Sequence, residues 1–146
     1  MDVPFDLETF LPYRLNRAAE RISLRFAARY RESFQMTRPE WRTLAALGSC
    51  GQMTATEIGA HSAMHKTKVS RAVHALEQRR WLKRIEDTRD RRVENLELTP
   101  LGRQHYRELV AMAQEYEQTL QTLLGKKALA QLENGLTAIE TSMTPT

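Results

Sequence analysis

Residues Asp87-Thr88-Arg89-Asp90-Arg91-Arg92 form a dense run of charge between two short segments that have the pattern of β-strands. Residues 81–86 (WLKRIE) precede this run, and residues 93–98 (VENLEL) follow it with three apolar members. The pattern predicts a hairpin over about residues 82–98. Arginines at a hairpin tip bury no apolar surface, so we expect Arg89, Arg91 and Arg92 to meet a negatively charged partner.

The two aspartates of this turn have a different expected role. A free carboxylate would repel a phosphate, so Asp87 and Asp90 are predicted to pair with Arg89 or Arg92 and to fix the turn. The alternative is a turn of ion pairs that binds nothing, which accounts for the aspartates but leaves arginines in surplus. Arg91 is nearest the expected tip, and its planar, weakly hydrated guanidinium suits a narrow minor groove.

A helix predicted over about residues 65–80 comes just before the hairpin. Val69, Val73 and Leu76 recur on one stripe and are predicted to anchor this helix in a core. The other face carries amine, guanidinium, imidazole and hydroxyl groups, which bind base edges and phosphate oxygens. The predicted DNA contacts on this helix are His65, Lys66, Thr67, Lys68, Ser70, Arg71 and His74. The alternative, which holds for any charged helical face, is simple solvation.

Positive charge is concentrated around this helix and hairpin. The chain has 146 residues and a formal net charge of +4. Residues 61–95 contain ten Lys or Arg against five Asp or Glu, which is +5, so the other 111 residues sum to −1. A local positive field on an otherwise balanced chain is typical of a nucleic-acid footprint. The predicted partner is therefore double-stranded DNA.

Helical periodicity and caps predict a mainly α fold for the rest of the chain. Thr37 and Thr54 each open a capping box, and Thr99 is an N-cap followed by proline. The expected helices cover about residues 6–34, 65–80, 100–124 and 126–142, with two shorter ones that start at Thr37 and Thr54. Gly48 and Gly51 are expected to end the first of these two. The first helix is too long for a compact lobe, so its outer part is predicted to pack on a partner chain.

These elements predict one domain over residues 1–146 that contains two functional parts. Residues 37–99 are expected to form a winged helix-turn-helix lobe, in which a two-stranded β-hairpin is the wing. Residues 5–35 and 100–143 are expected to form a helical dimerisation region. The predicted order is long helix, three helices, hairpin, long helix and helix.

Other classes of protein are disfavoured by what the sequence lacks. A single cysteine excludes an internal disulfide, no apolar run approaches the ~20 residues of a membrane span, and the N-terminus has no signal-peptide pattern. We therefore expect a cytoplasmic protein with no membrane partner. No catalytic set, phosphate-cradling glycine loop or cofactor motif is recognisable, so neither an enzyme activity nor a cofactor is expected.

The combination of residues 68–77 (KVSRAVHALE), 81–84 (WLKR), the charged turn and 98–102 (LTPLG) resembles the MarR family of bacterial transcriptional regulators. The helix order is similar to that family from about residue 6 to 142. The resemblance implies a homodimer built from the terminal helices, with recognition helices in successive major grooves and wings in flanking minor grooves. Trp81-Leu82 departs from the pattern, because many members have a glycine turn before the strand.

The resemblance also implies a regulator, expected to be a repressor, that responds to a ligand. Two copies on one duplex face would contact half-sites about one helical turn, ~34 Å, apart, which predicts a near-palindromic operator. Family members commonly bind a small aromatic acid between the dimer helices and the DNA lobe. The candidate lining residues are Tyr13, Arg14, Arg17 and Trp41. The simpler alternatives are core packing for Trp41, interface packing for Tyr13, and solvated or paired arginines.

Cys50 and two histidines invite other hypotheses. Family members that sense peroxide carry the cysteine in the first helix, where this chain has none, so Cys50 is expected to fill a small buried apolar position. His61 and His65 have metal-ligand spacing only if one helix continues through both, with Glu57 a turn earlier. Because a break is predicted near residues 62–64, no metal site is expected, and His65 is expected to cap or begin the recognition helix.

A winged helix used for protein–protein contact or as a structural dimer is the remaining alternative. Such modules usually lose the basic recognition face and the wing arginines, whereas this sequence keeps both. Salt dependence separates the two functions, because binding through several phosphates weakens steeply as salt rises.

Overall fold

The computed structural model describes residues 2–145 and shows a mainly helical chain with a small three-stranded antiparallel sheet. The helices are α1 Leu11–Phe34, α2 Arg38–Cys50, α3 Ala55–Ser62, α4 Lys66–Gln78, α5 Pro100–Leu124 and α6 Lys126–Ser142. The strands are β1 Met53–Thr54, β2 Leu82–Glu86 and β3 Glu94–Leu98. The predicted mainly α fold with a winged helix is confirmed. Among residues 2–145, no helix has the length and apolar character needed to cross a bilayer.

The start of the chain contains a break that helical periodicity did not predict. A 3₁₀ turn, Leu7–Thr9, precedes α1, and Phe10 between them is extended, with φ −68° and ψ 119°. The prediction of one helix from residue 6 is therefore wrong. Pro12 lies in the first turn of α1 and has no N–H to donate to the carbonyl four residues back, so a helix from residue 6 cannot run through it.

The predicted capping positions start α2 and α3. Thr37 accepts from the Glu40 amide, and the Glu40 carboxylate accepts from the Thr37 amide at 2.9 Å, which completes a capping box. Thr54 accepts from the Glu57 amide at 3.1 Å. The Glu57 carboxylate accepts from the Thr54 hydroxyl, so only the N-cap half of the second box matches the prediction.

Helix α2 runs past the first of its two glycines. Gly48 lies inside the helix, where a β-carbon would overlap the ring of Tyr106 in α5. Gly51 is the C-cap and has φ 79°, a value that glycine adopts without strain. Gly51 therefore ends the helix, and Gly48 provides room for α5.

A left-handed residue separates the two helices of the helix-turn-helix. Ala63 has φ 52° directly after the end of α3 at Ser62. His65 is the N-cap of α4, and its Nδ1 accepts from the Thr67 amide at 3.3 Å. The predicted break near residues 62–64 and the capping role of His65 are both confirmed. The predicted apolar stripe of α4 is also buried, at Val69, Val73 and Leu76.

The predicted hairpin forms, but it belongs to a three-stranded sheet. β2 and β3 pair antiparallel with Leu82 opposite Leu98. β1 pairs with the other edge of β3, with Met53 opposite Leu96. The prediction of a two-stranded sheet is therefore incomplete, because a strand of two residues is too short to show an alternation of apolar and polar side chains.

The passage from β3 into α5 needs a glycine as well as the predicted Thr99 cap. The Thr99 hydroxyl oxygen accepts from the Gly102 amide at 3.0 Å, and the hydroxyl donates to the Arg80 carbonyl at 2.7 Å. A β-carbon on Gly102 would overlap the backbone carbonyl of Trp81. Because the start of α5 lies directly against the start of the hairpin, only glycine fits there.

Two compact units divide the chain, Met1–Leu109 and Val110–Thr146. The first contains the predicted lobe of residues 37–99 together with α1 and the first part of α5. The second contains the rest of α5 and α6. This division falls inside α5 and keeps α1 with the winged helix, whereas the sequence grouped α1 with the C-terminal helices. The dimerising role of the terminal helices stays a prediction.

Candidate nucleic-acid interface

The exposed face of α4 carries the side chains that were predicted to bind DNA. This helix is sharply divided, since one side packs into the core and the other is open to solvent. The buried residues are Val69, Ala72, Val73 and Leu76. The exposed residues include His65 at the N-cap, Lys66, Thr67, Lys68, Ser70, Arg71 and His74. The predicted contacts therefore lie together on one accessible surface.

The cations in the first half of this surface have no internal partner. Lys66, Lys68 and Arg71 form no ion pair or side-chain hydrogen bond within residues 2–145. Three positive side chains thus stand over about one and a half helical turns, close to the positive end of the helix dipole. Like charges at this spacing repel one another, so the arrangement is costly unless an anion binds.

Other cations of the same region are neutralised inside the fold. Arg84 donates to Glu77 at 2.9 Å and to Glu94 at 2.8 Å, and the amine of Lys83 lies 3.2 Å from the Glu97 carboxylate. Partial burial, the largest single influence, lowers the pKa of Arg84, but the hydrogen bonds to Glu94 and Glu77 together raise it above its usual value. Lys83 and Arg84 are therefore less available to bind an anionic ligand than the net charge of +5 over residues 61–95 suggests.

The turn of the wing is held by its two aspartates. Asp87 accepts from the backbone amides of Arg89 and Asp90, at 2.7 and 3.3 Å. Asp90 accepts from the Arg92 amide at 3.0 Å and from Arg92 Nε at 3.2 Å. The carboxylates thus organise the loop backbone, and the guanidinium they neutralise is that of Arg92.

Arg91 and Arg92 occupy the centre of a β-turn at the tip of the wing. The Val93 amide donates to the Asp90 carbonyl at 3.0 Å, which closes this turn. Arg89 and Arg91 are exposed and form no ion pair in the described chain. Arg92 keeps 91% of its side chain exposed although it contacts Asp90. All three predicted wing arginines are therefore accessible, and two of them are unpaired.

A cleft of about 750 Å³ lies between the helix-turn-helix and the wing. Its lining is mostly apolar, but it includes the cations Lys66, Arg84 and Arg92 and the hydroxyls of Thr56 and Ser70. Three of the predicted contacts, Lys66 and Ser70 on α4 and Arg92 on the wing, therefore border one concave surface.

One arginine of this region serves the fold in a way that sequence analysis missed. Arg79 at the C-cap of α4 donates to the carbonyls of Phe34 and Gln35, at 2.6 and 2.8 Å. Its guanidinium carbon also lies 4.8 Å from the centre of the Trp81 ring. Sequence analysis counted Arg79 only as part of the basic footprint. Because Phe34 is 45 positions away, no local sequence signal connects the two residues.

The four candidate effector residues do not form one group. Tyr13, Arg14 and Arg17 are exposed in the first half of α1, where the Arg17 guanidinium carbon lies 5.7 Å from the Tyr13 ring centre. Trp41 instead packs against Phe26, with ring centres 5.1 Å apart. Thirteen residues of helix separate Tyr13 from Phe26, which is about 20 Å at 1.5 Å per residue. The predicted set is therefore split between two places on one protomer.

Trp41 is part of an aromatic cluster that joins α1 to α2. Its ring is stacked on Tyr30 at 5.8 Å and is half-buried. Burial is the main influence on Tyr30, and it raises the pKa of that phenol. An open pocket of about 420 Å³ beside Trp41 is also lined by Arg42, Ala45, Ala46, Ser49, His61 and Ser62. The simpler expectation of core packing accounts for the aromatic contacts of Trp41.

Cys50 lies in a different environment from the one expected. It is exposed at the end of α2, and its Sγ is 3.7 Å from Nε2 of His61. The expectation of a buried apolar position is therefore wrong, because burial on α2 stops at Leu47. His61 lies on α3, whereas His65 is the N-cap of α4, so the two are not on one continuous helix. Within residues 2–145 no three His, Cys, Asp or Glu side chains form a group that could hold a metal ion.

Comparison with known families matches the winged-helix part of the chain. The model of the MarR family matches residues 34–93. This segment runs from the end of α1 to the end of the wing turn, so it contains every predicted contact on α4 and all three wing arginines. No curated protein sequence matches the chain.

Solved structures share the fold over nearly the whole chain. A MarR family transcriptional regulator from Silicibacter pomeroyi DSS-3 is 28% identical, with a TM-score of 0.73 over 91% of this chain and 99% of its own. BpsR of Bordetella bronchiseptica, whose DNA binding is regulated by 6-hydroxynicotinic acid, is 23% identical, with a TM-score of 0.81 and coverage of 98% and 100%. MepR of S. aureus in complex with DNA is 23% identical, with a TM-score of 0.76 and coverage of 97% and 100%.

Proposed function

We propose that the protein is a MarR-family, sequence-specific regulator of transcription that binds double-stranded DNA as a homodimer. The match of the MarR family model to residues 34–93, the winged-helix segment, supports this proposal. Helix α4 lies in the major groove, and the wing arginines enter the flanking minor groove. The protein acts in the cytoplasm and uses neither a cofactor nor catalysis.

One observation carries this proposal: five exposed cations without internal partners lie on two neighbouring elements, the start of α4 and the tip of the wing. Lys66, Lys68 and Arg71 are exposed without partners, as are Arg89 and Arg91. Elsewhere in the same lobe, Arg84 and Lys83 are paired with glutamates. Arg42 and Arg80 of the lobe are also exposed and form no ion pair within residues 2–145, but they lie outside these two elements. Binding to phosphate would use the unpaired charge on α4 and the wing, because each neutralised phosphate releases a counterion.

Exposed apolar side chains support association with a second copy. On α6, Leu132, Leu136 and Ile139 recur on one helical face and are all exposed. Burying such a face yields roughly 25 cal/mol for each Å² removed from water, which favours a partner with a matching surface. A symmetric homodimer provides one, since each copy presents the same face. Its two recognition helices would contact half-sites ~34 Å apart on a near-palindromic operator.

The first test is the selection of binding sites from random DNA by the full-length protein. We expect a near-palindromic site, with affinity that falls steeply between low and physiological salt concentrations, as measured by fluorescence anisotropy. A footprint over a single asymmetric half-site would contradict the homodimer. Equal, weak and salt-insensitive binding to selected and scrambled DNA would contradict the DNA-binding function and favour a protein partner.

The proposed homodimer is a repressor that responds to a small aromatic acid. Bound over a promoter, it would exclude RNA polymerase, which in vitro transcription from a template carrying the selected site would detect. The ligand response of BpsR supports a small-acid effector. Trp41, with Arg42 in the pocket beside it, provides an aromatic wall and a cation in one place. Tyr13, Arg14 and Arg17 would complete such a site only from a second protomer.

Calorimetry with a panel of aromatic carboxylates, including 6-hydroxynicotinic acid, tests the effector proposal. A true effector must bind the DNA-free and DNA-bound conformations with different affinities. We therefore expect at least one acid to give binding heat and to weaken operator binding. The variants Trp41→Leu and Arg17→Ala separate the two candidate places, because only the place that binds the acid should lose heat on substitution. No heat from any acid, together with unchanged DNA affinity, would contradict the proposal.

A further inference from the structure

Arg79 closes the end of α1 with a fork of hydrogen bonds. Phe34 is the last residue of α1, and Gln35 is its left-handed C-cap. Their carbonyls accept from Arg79 Nη1 and Nη2, at 2.6 and 2.8 Å. Carbonyls at a helix C-terminus lack intrahelical partners and carry partial negative charge, so a cation binds them well. The planar guanidinium reaches both carbonyls at once, which a lysine amine does less well.

The same guanidinium contacts two further elements. Its Nη2 lies 3.9 Å from Oε1 of Glu40, the buried carboxylate of the capping box that starts α2. Its carbon stands over the ring of Trp81, at the start of the hairpin. One side chain therefore joins the end of α1, the start of α2, the end of α4 and the base of the wing.

The backbones of α1 and α4 are at most weakly in contact. Within residues 2–145, the elements whose backbones run closest to α4 are α2, α3 and β2, and α1 is not among them. Arg79 supplies a direct polar link between α1 and α4. A shift of the end of α1 would pull on two strong hydrogen bonds at the end of α4.

We propose that Arg79 is a positioning residue for DNA recognition, which holds α4 at a fixed place relative to α1 and thereby sets the separation of the two recognition helices in the homodimer. This inference rests on the proposed function, in which α1 contributes to dimerisation and α4 reads the major groove. We assign Arg79 no contact with DNA, because Nη1 and Nη2 of its guanidinium donate to carbonyls inside the protein. Replacement of Arg79 should make the affinity of the dimer depend less on the distance between the two half-sites, in addition to any effect on the affinity itself.

The test compares Arg79→Lys with Arg80→Lys on operators of altered spacing. Arg79→Lys keeps the charge but loses the pair of hydrogen bonds to the Phe34 and Gln35 carbonyls. Arg80→Lys is the matched substitution at an exposed neighbour. It does not introduce glycine, so residue 80 should keep its positive φ of 64°. The probes are the selected palindrome and versions with one or two base pairs inserted between half-sites. Each inserted pair moves a half-site by ~3.4 Å and rotates it by roughly 35°.

We expect the wild type and Arg80→Lys to lose at least about tenfold in affinity on each insertion, a cost similar to a mismatched base pair. For Arg79→Lys, the affinity should fall by less than about threefold on each of the same insertions, which is well below the cost of a mismatched base pair. If Arg79 only stabilised the fold, its replacement would lower stability and would not change how much affinity each insertion costs. An Arg79→Lys variant that loses as much affinity on insertion as the wild type would therefore overturn the proposal.

Hydrogen exchange gives a second measurement that does not depend on a folded variant. In the full-length wild type, binding of the palindrome should protect the amides at the end of α1, residues 31–36, although this segment is not proposed to contact DNA. If DNA protects α4 and leaves residues 31–36 unchanged, the coupling through Arg79 is wrong. If the wild type selects no palindrome at all, the proposed function fails instead, and the two failures remain distinct.

Discussion

The two ends of α4 carry the same kinds of side chain and use them in opposite ways. At the N-terminal end, Lys66, Lys68 and Arg71 are exposed and have no partner within residues 2–145. At the C-terminal end, Arg79 donates to two backbone carbonyls and lies close to a buried carboxylate. The first end can meet an anion outside the protein, while the second end satisfies acceptors within it.

The wing repeats this division between tip and base. Arg89 and Arg91 at the tip are unpaired, whereas Arg84 at the base bridges Glu77 of α4 and Glu94 of β3. A count of Lys and Arg along the sequence treats these residues as equal. What distinguishes these residues is whether the fold places an acceptor within reach, which the number of charges along the sequence does not show.

The largest expected effect is on stability, at the paired end of α4. Arg79→Met should lower the free energy of unfolding by about 2–4 kcal/mol, because it leaves the Phe34 and Gln35 carbonyls without their charged donor and buried Glu40 without its nearest cation. Urea denaturation of full-length protein would measure this loss. Arg80→Met is the matched control and should change stability by less than about 0.5 kcal/mol, as for most exposed positions. Equal stability of the two variants would show that the fork contributes little.

Much of the fold follows from local signals in the sequence. Periodicity and punctuation residues predicted α4, α5 and α6 to within about two residues. His65 caps α4, α5 begins at Pro100, and Gly125 separates α5 from α6. The Thr37 capping box and the break before His65 were predictable for the same reason. These features depend on neighbours within four residues, which a single sequence displays directly.

The features that sequence analysis missed depend on distant neighbours. The pairing of β1 with β3 joins Met53 to Leu96, and two residues give no strand pattern. The exposure of Cys50 depends on where the elements covering α2 stop. The separation of Tyr13 from Trp41 follows from the packing of Trp41 against Phe26, which the sequence does not display. In each case the missing information is which elements pack together.

The next effect is on DNA affinity, at the unpaired end of α4. Arg71→Ala should weaken binding to the selected operator by about 1–3 kcal/mol, roughly 5- to 150-fold, as expected for an arginine that reads a base edge. Its free energy of unfolding should stay within about 0.5 kcal/mol of the wild type, because no internal contact is lost. Fluorescence anisotropy and urea denaturation measure the two quantities. Arg107→Ala, which removes an exposed charge from α5, should leave both unchanged. If Arg71→Ala lowers the free energy of unfolding and leaves the operator affinity unchanged, Arg71 stabilises the fold and does not bind DNA.

A smaller effect distinguishes the tip of the wing from its base. Arg91→Ala should reduce the slope of log affinity against log salt by about 1, the value for one lost phosphate contact. The double variant Lys83→Met/Glu97→Gln removes a paired cation together with its carboxylate, so the net charge is conserved. Its salt slope should equal that of the wild type. If the double variant loses as much slope as Arg91→Ala, pairing does not decide which cations meet DNA.

The smallest expected effect is a gain in stability at the junction between the two regions. Arg80 follows Arg79, the C-cap of α4, and has φ 64°, a left-handed conformation that costs a non-glycine residue free energy. Arg80→Gly should raise the free energy of unfolding by about 0.5–1 kcal/mol, since relief of this strain exceeds the added entropy of the unfolded chain. Arg80→Ala, which keeps the strain and removes the same side chain, should give no gain. Operator affinity should be unchanged in both, because the Thr99 hydroxyl binds the carbonyl of residue 80, which neither substitution removes. A loss of affinity in both variants would show that the Arg80 side chain contributes to DNA binding, as proposed for Lys66, Lys68 and Arg71.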